Sequence, residues 1–283
     1  MIRAMILFLF ATLTSCASFG PLVLGLAGPV LPILISNKEA VAVGPPPNAD
    51  RFIEAGQYNV TYANAFVAGP AEYFPVERLA DKQAAQAKAL ALYVRGREEV
   101  VQGLELRYPG FASAWAEINS SNWAGFLAGF KKSDVAALYW CVAGQLSAYA
   151  IRPMDVEFSV RLPKTIDLLN RAYELDPDFQ SSTLEELLVT VYTSLPVGMG
   201  GDLELAKLHY DLAQKKTGGQ STGAMLAWAS GVALPAQNKD EFVALMNQVL
   251  KVRAEENPDS NLAILLNQKK ARWLLAHLED LFI

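Results

Sequence analysis

The amino-acid sequence predicts an all-α fold. Beyond Asp50 the apolar residues recur at helical spacing almost everywhere. No stretch alternates apolar and polar residues between turn signals for long enough to indicate a sheet. Three residues that mark helix ends, Pro177, Gly218 and Pro258, are 41 and 40 residues apart, and such a period is typical of stacked helix pairs. The predicted architecture is an α-solenoid built from helical hairpins.

The composition indicates a packed and acidic chain. It has 283 residues, a net charge of −5, 52% hydrophobic and 19% charged residues, which excludes a disordered chain. The 24 Lys and Arg residues are scattered, so we expect no nucleic-acid partner, which would require a clustered basic face. The cysteines and histidines, at 16, 141, 209 and 277, lack metal-ligand spacing. We therefore expect neither a metal nor a cofactor.

Residues 1–15 have the layout of a secretory signal peptide, with Arg3 before an apolar run and small residues after it. The sequence Leu13-Thr14-Ser15-Cys16 resembles the bacterial lipobox, which implies that Cys16 is lipidated and becomes the first residue of the mature chain. The alternative is an uncut signal anchor, which the apolar residues 19–35 favour, although three glycines and three prolines there make a poor helix. Both interpretations place the remaining chain outside the cytoplasm.

Residues 16–50 are predicted to be a lipid-anchored apolar segment and a proline-rich tether, because three consecutive prolines lie within 36–50. Residues 51–283 are predicted to form one helical domain. Cys141 lies between Trp140 and Val142 in an apolar stretch, which predicts a buried and inert thiol.

The segment 164–175 predicts an amphipathic helix with Ile166, Leu169 and Ala172 on its apolar face. Asp176-Pro177 ends it. This pattern resembles the second helix of a tetratricopeptide repeat, in which a small residue permits close helix approach.

The segment 202–218 shows the same pattern and has two apolar faces. One face carries Leu203, Ala206, Tyr210 and Ala213, and the other carries Leu205, Leu208 and Leu212. Two apolar faces predict a helix that lies between neighbours on both sides.

The other parts of the predicted repeats surround these two helices. The segment 134–150 resembles a first helix of the repeat, with Trp140, Gly144 and Tyr149 at the expected places. A third unit is predicted over 221–258, and a closing helix over 260–282 caps the stack.

Several segments, taken in order, resemble one family of proteins. They are Ala91–Arg97, Gly103–Glu105, Tyr108–Phe111, Lys132–Trp140, Asn170–Phe179, Met199–Ala206 and Leu262–Leu275. Over roughly residues 60–283, the chain resembles the T-component lipoproteins, called TatT, of tripartite ATP-independent periplasmic (TRAP) transporters. The resemblance implies a solenoid of degenerate tetratricopeptide-like repeats, anchored by lipid in the periplasm. Because Ala17 follows Cys16, in place of the Asp that retains lipoproteins at the inner membrane, we expect the outer membrane. The resemblance also implies a homotrimer and a TRAP-type substrate-binding protein as partner.

No catalytic motif is present in the sequence. His209 and His277 lie in helices without a nucleophile suggested by spacing. The Gly-rich run 195–202 lacks the Lys-Ser/Thr of a phosphate-binding loop, and Asp202 is predicted to cap the following helix. Glu185-Glu186 is predicted to lie on a solvated face, because neighbouring helical residues do not face a common point. We expect a protein that is not an enzyme.

Tyr139, Trp140, Tyr149 and Trp228 are the candidate ligand-binding residues, because first-helix side chains line the groove of a solenoid. Aromatic walls with few charges suit an apolar small solute. Core packing is the alternative role for these residues. The leading hypothesis is a non-enzymatic transport accessory that binds a periplasmic receptor and an apolar solute. The alternatives are a repeat scaffold lipoprotein that assembles cell-envelope complexes without a small ligand and, less strongly supported, a hydrolase with an unrecognised site.

Overall fold

The computed structural model describes residues 46–257 and 260–283, and these residues form helices and no β-strand. The prediction of an all-α fold is confirmed. The main helices are α1 (Ala49–Tyr62), α2 (Leu79–Arg107), α3 (Phe111–Ala116), α4 (Trp123–Gly129), α5 (Val135–Ile151), α6 (Val156–Ser159), α7 (Leu162–Leu175), α8 (Thr183–Ser194), α9 (Leu203–Lys216), α10 (Thr222–Trp228), α11 (Lys239–Lys251), α12 (Asn261–Ala276) and α13 (Leu278–Leu281). The described residues form two compact units, divided between Pro177 and Asp178.

In the N-terminal unit, α1 packs along α2, α2 along α5, and α5 along α7. Asn48 begins α1, where its side chain accepts a hydrogen bond from the Arg51 amide at 3.1 Å. The helical path continues beyond α1 through a π-helical segment, Ala63–Ala68, and a short helix, Gly69–Glu72. This continuation packs against α2, so the 29-residue α2 has a helical partner over much of its length.

A buried arginine lies between the helices of the N-terminal unit. The Arg97 side chain is 1% exposed and donates to the Gln145 Oε1 atom at 2.6 Å, which joins α2 to α5. Glu98 and Glu157 accept from its other nitrogens at 2.6 and 3.1 Å. A buried cation requires such partners, since an unpaired charge in this position would be strongly destabilising.

In the C-terminal unit, each helix packs against the next one or two helices along the chain. α8 contacts α9 and α10, α10 contacts α11 and α12, and α11 contacts α12. A core of apolar side chains from α10, α11 and α12, including Met225, Phe242, Met246 and Leu274, fills the space between them. The second π-helical segment, Ala229–Ala233, extends α10.

The observed helices agree with the predicted ones within a few residues. The predicted segments 134–150, 164–175 and 202–215 correspond to α5, α7 and α9. α8 was not predicted from the sequence, and it supplies the first helix that pairs with α9. The closing segment 260–282 is two helices, α12 and α13.

Some predictions concern parts of the chain, or relations between its parts, that the structure does not describe. The signal peptide 1–15, the lipidation of Cys16 and most of the tether 16–50 lie outside the described residues, as does Pro258. The single domain over 51–283 and the solenoid go beyond the contacts within each unit, and both stay predictions.

Candidate functional site

Trp228, one of the four predicted ligand-binding residues, lies in the C-terminal unit at the end of α10. Its ring centroid is 5.2 Å from that of Tyr210 in α9. Its indole N–H donates to the Glu241 Oε1 atom of α11 at 2.9 Å. The indole therefore joins three helices, and its only donor group is already used within the chain.

The other three predicted residues lie in the N-terminal unit on α5. Tyr139 and Trp140 are in edge-to-face contact, with ring centroids 4.9 Å apart. Trp140 and Tyr149 are half-buried and pack against the same apolar cluster, which contains Val60, Tyr93 and other buried residues. The structure thus brings Tyr139, Trp140 and Tyr149 to one helix, while Trp228 belongs to the other unit.

The N-terminal unit also contains an open cleft of about 540 Å³. Its volume is in the range of small-molecule sites. The cleft is lined by Arg107, Tyr108, Pro109, Ser121, Asn122, Gly125, Phe126 and Gly129. The prediction did not include it; its only sequence signal was the Tyr108–Phe111 segment that contributed to the family resemblance.

The charge of Arg107 at this cleft is compensated by two carboxylates. Arg107 donates to Asp134 at 2.8 Å and also pairs with Asp50. The Tyr108 hydroxyl donates to Asp134 at 2.5 Å. Burial, followed by this hydrogen bond to a carboxylate, raises the pKa of Tyr108 to about 12, so the phenol stays protonated at neutral pH. Among the described residues that line the cleft, the one cation, Arg107, is therefore already paired with carboxylates.

Aromatic rings form the wall behind the cleft. Phe111 contacts Trp123, Phe126 and Phe130 with centroid distances of 6.0, 5.7 and 5.7 Å. The indole N–H of Trp123 donates to the Asp167 Oδ2 atom of α7 at 2.8 Å. These contacts hold α3, α4 and α7 together, so the rings serve the packing of the unit.

Lys164 reaches the same wall from α7. Its ammonium donates to the carbonyl oxygens of Ala114 and Glu117 at the end of α3, and lies 4.9 Å from the Trp123 ring centroid. Burial lowers the pKa of Lys164. The ammonium satisfies helix-end carbonyls that would otherwise be left without partners.

The prediction that Glu185-Glu186 lies on a solvated face is wrong. Glu185 is 0% exposed and pairs with Lys216 of α9 at 2.5 Å. Glu186 accepts from the hydroxyls of Ser221 and Ser182 at 2.6 and 3.2 Å. The two neighbours project in different directions, one to α9 and one to the start of α10, so Glu185 is buried and Glu186 is partly buried between helices.

Three side chains that the sequence analysis considered for catalysis or reactivity, His209, His277 and Cys141, are engaged in structural contacts. His209 is buried and stacks on Tyr192 with a centroid distance of 5.8 Å. Burial lowers its pKa. The His277 Nδ1 atom lies 2.8 Å from the Trp273 carbonyl oxygen. Burial raises the pKa of the Cys141 thiol to about 12, and a thiol of this kind is a poor nucleophile at neutral pH.

The Gly-rich segment 195–202 leads into α9, and Asp202 caps the start of that helix, as predicted. The Asp202 side chain accepts from the backbone amides of Glu204 and Leu205 at 2.9 and 3.0 Å. Gly200 has a φ of 105°, and a Cβ on Gly201 would collide with the Leu195 carbonyl. Only glycines fit this turn.

Two further observations hold for residues 46–257 and 260–283. No group of three or more His, Cys, Asp or Glu side chains in this part is arranged to hold a metal ion. Among the helices of the same part, none is both long and apolar enough to cross a membrane.

Comparison with known proteins places the chain in a family. The family model described as TRAP transporter T-component matches residues 24–282. An uncharacterized protein of Treponema pallidum (strain Nichols) is 28% identical over 260 residues, which cover 92% of this chain and 80% of that protein. Because the family model spans nearly the whole sequence, the chain belongs to the TRAP transporter T-component family.

Proposed function

We propose that this chain is a non-enzymatic, lipid-anchored accessory of a TRAP transport system that binds a periplasmic substrate-binding protein. The observation that carries the proposal is the family match over residues 24–282. The engagement of His209, His277 and Cys141 in packing supports a role without catalysis. The arrangement of α8 to α12, in which each helix packs on its successors, supports the repeat architecture.

Receptor binding is tested with the full chain in detergent, immobilised by an affinity tag. The analyte is the purified TRAP-type substrate-binding protein encoded with it, and an unrelated periplasmic binding protein is the control. Saturable binding of the TRAP-type receptor alone is the expected result. Binding of neither protein would favour the alternative, a scaffold lipoprotein that assembles envelope complexes.

The second part of the proposal is that an apolar solute binds beside the aromatic residues of α5. Trp140 and Tyr149 are half-buried on the apolar cluster of the N-terminal unit, and partly exposed aromatic rings suit such a ligand. Trp228 contributes less, because its indole N–H is bound to Glu241. Lauric acid serves as the probe, and its saturable quenching of tryptophan fluorescence is the signal.

Two matched variants show which tryptophan the solute quenches. Replacement of Trp140 by Phe removes the quenching if the solute lies at α5, whereas replacement of Trp273 in α12 by Phe leaves it intact. Quenching that persists in both variants would place the solute elsewhere. An absence of quenching in the parent chain leaves receptor binding as the function.

The anchor is proposed at Cys16 on the periplasmic side of the outer membrane. Mass spectrometry of the mature N-terminus is expected to show a chain that begins with an acylated Cys16, and replacement of Cys16 by Ser prevents the processing. An intact Met1 would indicate a signal anchor instead. Membrane fractionation distinguishes the outer from the inner membrane, and sedimentation in detergent tests the homotrimer that the resemblance implies.

A further inference from the structure

The sequence contains the acceptor motif for N-linked glycans, Asn-X-Ser/Thr with X other than proline, at two places. One motif is Asn59-Val60-Thr61 and the other is Asn119-Ser120-Ser121. A folded chain can be modified only where the asparagine side chain is accessible from outside, because the added glycan is bulky and needs a surface position. The fold therefore decides which of the two motifs can react.

The motif at Asn59 is enclosed in the N-terminal unit. Asn59 lies within α1 and is 0% exposed. Its Nδ2 atom, the nitrogen that a glycan would join, donates to the Glu99 Oε2 atom of α2 at 2.8 Å. The crossing of the two helices is so close here that a Cβ atom on Gly96 would lie 3.1 Å from the Asn59 Cβ atom. This motif therefore has no space for a glycan.

The motif at Asn119 lies on an exposed turn. Because α3 ends at Ala116 and α4 begins at Trp123, the segment 117–122 belongs to neither helix. Asn119 and Ser121 are both exposed. Irregular backbone at the surface can adapt to the groove of a modifying enzyme, whereas a residue in the middle of a helix is held by its backbone hydrogen bonds.

The surroundings of this turn leave room for a large group. Ser121 lines the open cleft of about 540 Å³, so open space borders the turn on that side. Glu117, two residues before Asn119, is exposed, whereas the neutral Gln57 holds the corresponding position before Asn59. The carboxylate of Glu117 gives the acceptor segment a negative charge, which favours docking to a basic groove.

We propose that Asn119 is an N-glycosylation site of the exported chain. The proposal rests on export, which is part of the proposed function. In the reaction, the Asn119 Nδ2 atom attacks the anomeric carbon of a glycan carried on a polyisoprenyl diphosphate. The new C–N bond replaces the C–O bond to the diphosphate, and the lipid diphosphate leaves as an anion. The amide nitrogen gives one proton to a base of the oligosaccharyltransferase.

Purified components test the site independently of export. The full chain in detergent is incubated with a bacterial oligosaccharyltransferase and a glycan linked to polyisoprenyl diphosphate. Peptide mass spectrometry then locates the glycan on the chain. The expected result is a glycan on Asn119 and none on Asn59. A glycan on Asn59, or none on Asn119, would overturn the proposal.

Two substitutions in the same turn separate the motif from the shape of the turn. Ser121→Ala removes the hydroxyl that the motif requires and is expected to abolish the modification. Ser120→Ala keeps the Asn-X-Ser motif and is expected to leave the modification intact. Circular dichroism confirms that both variants are folded. Equal modification of the two variants would contradict the proposal, since a glycan added through this motif depends on Ser121 alone of the two serines.

The chain from its own membranes shows whether the modification occurs in the cell. The peptide that contains Asn119 is expected to carry the mass of a glycan, and the Asn119→Gln chain from the same strain gives the unshifted reference. An unmodified Asn119 on a chain that begins with acylated Cys16 would overturn the proposal and leave export and anchoring standing. An unmodified Asn119 on a chain that retains Met1 would overturn the proposal together with the processing at Cys16.

Discussion

Gly56 of α1 and Gly96 of α2 face each other where the two helices cross. A Cβ atom on Gly56 would collide with the Gly96 carbonyl oxygen and lie 2.6 Å from the Val100 Cγ2 atom. A Cβ atom on Gly96 would lie 2.8 Å from the Gly56 carbonyl oxygen. Because each glycine admits the backbone of the other helix, α1 and α2 approach more closely than larger residues would allow.

Replacement of either glycine by alanine is expected to lower the free energy of unfolding by about 1–3 kcal/mol, the usual range for overpacking. Gly125→Ala in α4 is the matched control, since nothing lies within 4 Å of the added Cβ there. The control is expected to be neutral or to gain up to about 1 kcal/mol, because alanine favours the helix. Thermal and urea denaturation measure the difference. Equal effects at Gly96 and Gly125 would contradict the close crossing.

The second prediction concerns Glu186 and pH. Burial raises the pKa of Glu186, opposed by hydrogen bonds from Ser221 and Ser182. The folded protein therefore holds this proton at pH values where the unfolded chain has released it, and stability falls as the pH rises from about 4.5 to the raised value. Above that pH window, the destabilisation caused by the ionised Glu186 no longer changes with pH.

Glu186→Gln removes this titration. The difference in melting temperature between the variant and the wild type is expected to shift in favour of the variant as the pH rises through the window, and then to level off. Comparing the two proteins at each pH cancels the other titrating groups. If the difference in melting temperature between the two proteins stays the same from pH 4 to 8, the carboxyl group of Glu186 ionises as it does in the unfolded chain.

The third prediction tests the role of Lys164. Lys164→Met keeps the apolar stem but leaves the carbonyl groups of Ala114 and Glu117 without their donor. The expected loss in the free energy of unfolding is about 1–3 kcal/mol, the cost of unsatisfied buried acceptors. Lys251→Met, at an exposed position in the last turn of α11, is the control and is expected to change stability by less than about 0.5 kcal/mol. A similar loss in both variants would rule out a specific role for Lys164.

The fourth prediction concerns the reactivity of Cys141. Its thiol is fully enclosed and its pKa is raised to about 12, so little thiolate exists at neutral pH. Iodoacetamide is expected to leave Cys141 unmodified in the native protein and to modify it fully in guanidinium chloride. Peptide mass spectrometry measures the extent of Cys141 modification under both conditions. Rapid labelling of the native chain would show that α5 opens easily.

Sequence patterns predicted the local structure well. The helical spacing of apolar residues, the capping residue Asp202 and the Asp176-Pro177 stop act within a few residues of each other along the chain, so their outcome does not depend on distant segments. The burial of Cys141 also followed from its apolar neighbours. α8 was not predicted, although apolar residues recur along it, because its pairing with α9 is visible only in the packed unit.

The candidate site was less predictable for a physical reason. Whether an aromatic or charged side chain is available to a ligand depends on residues that are distant in sequence. Glu241 binds the indole N–H of Trp228, and Asp167 binds that of Trp123. The cleft at Tyr108 likewise requires α4 to lie beside the end of α2.

The sequence by itself determined the helical class and the family resemblance, and it predicts export and lipidation. These properties depend on residue order within short windows. Only the tertiary structure decided that Glu185 is buried, that Gly56 meets Gly96, and that Leu205 and Leu208 of α9 are exposed. Each of these depends on how helices pack against one another, and packing is set by the shapes of surfaces assembled from distant parts of the chain.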